Sequence, residues 1–249
     1  YAPVQEDISR IIELSNPQGK SVLTVSAYGY ALPFIAAGAK NVTSFDISPD
    51  QTAWNHFVRS MIMNTSFEYN QEFFYYPFFK QKEKKRIDIP CKISLADIPG
   101  EYKSTTIQLA QEYLFDSKEI EQVDDIREIY PHLIEEIFEN MQEGIKNWRI
   151  IEGEFIDVLK QQQEKFDIIN GSTIRSWVHR KYSNIRSFGK EYNLPLLQLV
   201  HQRLNPRGIF LDTEIDNFIF PEYPAGIIKK FSRNSYPSHT LAIHLLTKN

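Results

Sequence analysis

Cysteine is all but missing from this chain: Cys91 stands alone among 249 residues. That excludes an internal disulfide framework and any zinc site built from several thiolates. The opening run Tyr1-Ala-Pro-Val-Gln-Glu-Asp7 has no charged-then-apolar pattern of a secretion signal, and with one thiol the expected location is the reducing cytoplasm. No uninterrupted apolar run reaches the roughly 18–20 residues that a membrane span needs. Charge of one sign is also lacking, since 28 Lys and Arg against 32 Asp and Glu leave a net −4. A nucleic-acid partner is therefore not expected, there being no overall basic field to gather one. The signatures G-x-G-x-x-G, G-x-S-x-G, H-E-x-x-H and the Walker loop are absent as well. No metal site is expected, and a pyrophosphate cofactor is disfavoured.

What is present begins at Ser21. Ser21-Val-Leu-Thr-Val-Ser26 reads as a short β-branched strand, Ala27-Tyr-Gly-Tyr-Ala-Leu32 as a turn into a helix, and Asn41-Val-Thr-Ser-Phe-Asp46 as a second strand ending in an acid. Pro33 is tolerated in the first helical turn, where backbone donors are unused, and Gly38 closes the helix. Ser48-Pro49 opens another helix, with Ser as its cap and Pro at its first position. A short amphipathic helix over 5–14 precedes the first strand. The rhythm stops at residue 65 and resumes with strands at Trp148–Ile151 and Lys165–Ile169, a helix over Leu194–Leu204, a turn at Asn205–Gly208, a strand from Ile209 and a last strand at Thr240–Leu246. A loop carrying Pro221, Pro224 and Pro237 separates the final two, which suggests an antiparallel finish.

Alternating strands and helices imply an α/β protein: a Rossmann-like, mostly parallel sheet with helices on both faces. Residues 1–64 and 148–249 form its core, and 65–147 are a helical, aromatic-rich insertion, a cap or lid. With 42% hydrophobic residues, a chain of this length can bury a core without staples.

In such sheets ligands bind beyond the carboxyl ends of the strands. After Ser26, Gly29 lets the backbone pass close to a ligand, and the next helix aims free N–H groups at it. Asp46, followed by Ile47, can accept hydrogen bonds from both hydroxyls of a ribose. Glu154, or the backbone around Phe155, can meet an adenine edge. An acid after the second strand without the glycine trio fits a nucleoside lacking phosphates, of which S-adenosylmethionine is the obvious one. Alternatively, Asp46 only caps the following helix.

The strand order, Asp46 and Phe166-Asp-Ile-Ile-Asn170 resemble class I S-adenosylmethionine-dependent methyltransferases over the two core segments. More specifically, Ser26-Ala-Tyr-Gly-Tyr-Ala-Leu32 with Asp46-Ile-Ser-Pro-Asp-Gln51 is similar to the 3-amino-3-carboxypropyl transferases that build betaine-lipid headgroups. Asn170-Gly-Ser-Thr-Ile-Arg-Ser-Trp177 looks like their strand end too. The resemblance implies cofactor roles for Ser26, Ala27, Asp46, Gln51, Asn170 and Ser172. It implies transfer of an aminocarboxypropyl group with release of methylthioadenosine; cyclisation, in which the cofactor's own amine attacks and closes a ring, would release the same nucleoside. Methyl transfer to a small molecule, releasing S-adenosylhomocysteine, is the alternative, and a binding module without turnover is a reading of another class.

Phe67, Tyr69, Phe73, Phe74, Tyr75, Tyr76, Phe78 and Phe79 crowd one stretch, with Lys80, Lys82, Lys84, Lys85 and Arg86 just after. They read as the core of a helical cap, as a lid whose tyrosines, Tyr76 among them, line an acceptor pocket, or as a patch for peripheral membrane contact. Arg175 and His179 follow the fourth strand and are candidates to face the substrate. The acceptor is expected to be a small molecule or a lipid headgroup.

Overall fold

A computed structural model describes residues 8–26, 30–79, 95–115, 130–172, 193–214, 228–236 and 239–248; within these, the side chains of 75–79, 95, 112–115, 193–195, 213–214, 228–236 and 239–246 are not described. β1 (Ser21–Val25) is the central strand. β2 (Asn41–Asp46) and β3 (Trp148–Glu152) lie to one side of it, and β4 (Phe166–Ser172) and β5 (Leu204–Glu214) to the other, all parallel. β7 (His239–Thr247) runs antiparallel to β5, and β6 (Ile228–Tyr236) pairs antiparallel with β7 at the edge. The order β3-β2-β1-β4-β5-β7-β6 is a Rossmann-like, class I methyltransferase-like sheet.

Strand alternation sends successive side chains to opposite layers. Val22 and Ile168 join one apolar cluster with helices α1 (Ile8–Ser15), α2 (Ala31–Ala36) and α3 (Pro49–Asn64). Leu23 and Ile169 join a second cluster on the other face. The rest of the first layer comes from α4 (Phe67–Phe79), α5 (Lys103–Phe115) and α6 (Glu135–Gly144), and the second is formed by α7 (Phe155–Gln161) and α8 (Asn193–Arg203). Phe73 and Phe74 of α4 are fully buried and pack with Trp54 and Phe57 of α3. Aromatics from the 65–147 segment thus sit in the same cluster as the sheet residues Val22 and Val42. Among the described residues no helix is long and apolar enough to cross a membrane.

Three elements differ from the sequence expectation. The expected turn at Asn205–Gly208 lies inside β5, where the register against β4 shifts and Arg207 takes φ +63°; Asn205 Nδ2 donates to Asp167 Oδ1 at 2.7 Å and anchors this irregular start. β6 falls in what reads as loop, because Ile-Lys-Lys-Phe-Ser-Arg-Asn-Ser-Tyr is too polar to declare a strand; at a sheet edge such composition guards against unwanted pairing. β4 continues through Ser172, so Asn170 is within the strand and not beyond it. The antiparallel finish is present; Pro221, Pro224 and Pro237 lie outside the described residues.

Ser48 caps α3: its backbone is extended (φ −83°, ψ 119°), its Oγ accepts the Gln51 N–H at 3.3 Å, and Pro49 follows at the first turn. Ser48→Ala should lower stability by about 0.5–2 kcal/mol. Denaturant titration checks this as a lower midpoint at unchanged slope; an unmoved midpoint would leave the cap without energetic weight.

Candidate functional site

The carboxyl ends of β1, β2 and β3 are locked together by backbone bonds. Ser26 N–H donates to the Phe45 carbonyl at 2.8 Å, and Gly153 N–H donates to the Asp46 carbonyl at 2.7 Å. Asp46, half-buried, stands opposite Glu152 in the β2–β3 register. Its Oδ1 accepts the Ser48 N–H at 2.9 Å. Burial pushes the Asp46 carboxyl above the ordinary carboxylate value, and the Ser48 and Ile47 amides pull it down by less. Since Ser48 caps α3, Asp46 is oriented by the turn without being consumed as a helix cap.

Around this acid the neighbouring residues take distinct places. Ile47 is 60% exposed, the large hydrophobic that stands out on the described surface. Phe155 is buried and stacks on Phe45, ring centroids 5.1 Å apart and 9° from parallel. Glu154 occupies the position before α7 and gives it no side-chain cap. Together Asp46, Ile47 and the Glu152–Phe155 turn lie side by side at the carboxyl ends of β2 and β3, where ligands bind in open α/β sheets.

On the β1–β4 side the polar groups are buried and tied to one another. Asn170 Nδ2 donates to Thr24 Oγ1 at 3.0 Å, and Asn170 Oδ1 accepts the Ser172 N–H at 3.3 Å. Ser172 adopts a left-handed φ of +49°, where the pairing of β4 with β5 slips register. A non-glycine residue in that region is uncommon, and here it ends the strand at the carboxyl edge of the sheet. Gly171 has no room for a side chain: a Cβ would stand 2.9 Å from the Phe210 ring.

Two features have no counterpart in the sequence expectations. Asn55 of α3 is fully buried, and its Nδ2 donates to both the Ser26 carbonyl (3.3 Å) and, in a shorter contact, to Ser26 Oγ. The available signal was an Asn on the inward face of a helix, one turn after Gln51. Second, Tyr102 crosses from the helical segment to the sheet and donates its hydroxyl to Glu152 Oε2 at 2.7 Å, with the His56 ring stacked on it at 5.3 Å. Burial, followed by the Glu152 bond and charge, pushes the Tyr102 phenol up to about 12. Burial and the Arg59 charge push His56 down to about 4.

Of the remaining candidates, Ala27, Gly29, Arg175 and His179 lie outside the described residues, and Tyr76 lies in α4 with its side chain outside them. Phe67 and Tyr69, partly buried, pack against the core that encloses Phe73 and Phe74; the lysine run after Phe79 is outside the described residues. Among the described residues no three His, Cys, Asp or Glu side chains cluster so as to hold a metal ion.

No protein-family model matches the chain, and no curated protein does. Solved structures do. The chain is similar to the rRNA methyltransferase aviRa from Streptomyces viridochromogenes at 10% identity and TM-score 0.47, over 99% of this chain and 86% of that one. It is similar to the N-methyltransferase NodS from Bradyrhizobium japonicum WM9 at 8% identity and TM-score 0.45, over 98% and 94%. An rRNA methylase from Streptococcus thermophilus matches at 9% identity and TM-score 0.44, over 97% and 95%. At such identities the likeness is one of fold. Two of these names carry rRNA, which overturns the expectation that nucleic acid is not a partner. The physical reason is that net charge sums the whole surface and says nothing of a local patch.

Proposed function

We propose that this chain is an S-adenosylmethionine-dependent transferase. The observation that carries the reading is Asp46: an acid at the carboxyl end of β2, half-buried, oriented by the Ser48 amide and left with acceptor capacity beyond that bond. The donor set fits an adenosine-bearing sulfonium. Asp46 would hold the ribose hydroxyls, and Ile47 and the Glu154–Phe155 turn would border the base. Gln51 Nε2 and Asn55 Oδ1 are shut off from water and lack partners among the described residues, so polar capacity remains on the first half of α3. When bound, the sulfonium supplies carbon substituents already activated for displacement, so these residues need only orient it and exclude water. In this reading the 65–147 segment faces the acceptor, and Tyr76, Arg175 and His179 are its proposed acceptor-side groups.

Methyl transfer stands first, because the strand order is that of class I methyltransferases. The second reading, aminocarboxypropyl transfer, is supported by the Ser26–Leu32 and Asp46–Gln51 runs. Incubating the full chain with S-adenosylmethionine and candidate acceptors, and identifying the released nucleoside, separates them. Adenosylhomocysteine supports methyl transfer and methylthioadenosine the second reading. Tight binding with neither product would leave a binding module.

A further inference from the structure

We propose that Gln51 and Asn55 form the receptor for the amino-acid end of the ligand, with Asn55 also fixing the end of β1 beneath it. This rests on the cofactor reading above. The orientation of the Asn55 amide follows from its partner: the Ser26 carbonyl can only accept, so Nδ2 must face it. Oδ1 is thereby turned away as an acceptor, and it is buried with no partner among the described residues. Gln51 precedes Asn55 by four residues, one helical turn along the same face. Its Nε2 is a buried donor, also without a partner among the described residues. Buried polar groups are normally hydrogen-bonded, and an apolar side chain at either place would have avoided the loss.

The direction follows from the sheet. Asp46 marks β2, and the order runs β3-β2-β1-β4. With the base toward Phe155 after β3, a ligand gripped at its sugar over β2 extends its other end over β1, where Asn55 holds Ser26. That end of S-adenosylmethionine carries an ammonium and a carboxylate. The ammonium donates and suits Asn55 Oδ1; the carboxylate accepts and suits the Gln51 amide.

Calorimetry on the full chain tests this with S-adenosylmethionine, S-adenosylhomocysteine and methylthioadenosine, the last lacking the amino-acid end. Asn55→Leu and Gln51→Leu should each weaken the first two by about tenfold or more while methylthioadenosine changes less than about twofold. Equal losses for all three ligands, or no loss for any, would overturn the inference while leaving the cofactor reading standing. Wild-type protein that binds none of the three removes the cofactor reading, and this inference with it. Should Asn55→Leu not fold, Gln51→Leu, at a half-buried position, decides by the same comparison.

Discussion

Asp46→Ala should raise the dissociation constant for S-adenosylmethionine roughly tenfold to a hundredfold, corresponding to about 1–3 kcal/mol for hydrogen bonds to a charged acceptor. The fold should survive, because Ser48 keeps its cap on α3. Asp46→Asn is the sharper control: it can still accept the Ser48 N–H but carries no charge. The pH dependence has a definite sign. A carboxylate receiving ribose hydroxyls is favoured ionised, so binding lowers its pKa and affinity is complete above the pKa of the free protein. Affinity is lost as pH falls through that value, which burial has set above the ordinary range. For folding the sign is reversed: a raised carboxyl contributes fully below its unfolded pKa and loses that contribution as pH rises through the folded one. Asp46→Asn should therefore melt slightly higher than wild type at neutral pH while binding more weakly, a trade common at functional acids. Calorimetric affinities unchanged by either substitution would remove the acid from the site.

His132→Phe should stabilise the protein by about 1–3 kcal/mol, the usual cost of leaving a buried polar group unsatisfied. His132 has no exposed surface, and neither ring nitrogen finds a hydrogen-bond partner among the described residues. Its ring lies edge-on to Phe74 at 4.9 Å and to Tyr130 at 5.7 Å. Phe keeps a flat ring at this position and needs no partner. For a chain of this length the gain corresponds to roughly 2–4 °C of melting temperature per kcal/mol. Burial also holds the imidazole down to about 3, from 6.5. Between those values the unfolded chain takes up a proton that the folded one refuses, so wild-type stability falls as pH drops from about 6.5 toward 3. The variant escapes that part of the loss. Melting both proteins at pH 7 and pH 5 should show the gap widening in acid; a constant gap would mean that the folded ring accepts the proton after all.

The strands nearest the site were legible because each is short, β-branched and followed by a turn signal: Val22–Val25 and Ile168–Ile169 announce a buried parallel strand with no tertiary information. Ser48-Pro49 likewise announces α3, since cap chemistry is local. What sequence could not give is whatever depends on a distant partner. Asn55 is an ordinary helical residue until Ser26, on another element, is placed against it. Tyr102 is anonymous until Glu152, fifty positions away, receives its hydroxyl. β6 is polar enough to read as loop until β7 offers it a ladder. The aromatic run around Phe74 fits a cap, a lid or a membrane patch equally on composition, and only packing distinguishes burial from exposure.

That packing bears on how the protein comes apart. Phe73 and Phe74 belong to the cluster that also encloses Val22, Val42 and Ile168 of the sheet. Excising 67–79 would consequently open a void against α3. The described helices of this segment share one apolar core with this face of the sheet, so removing the aromatic stretch should lower the melting temperature of the whole rather than leave the sheet untouched.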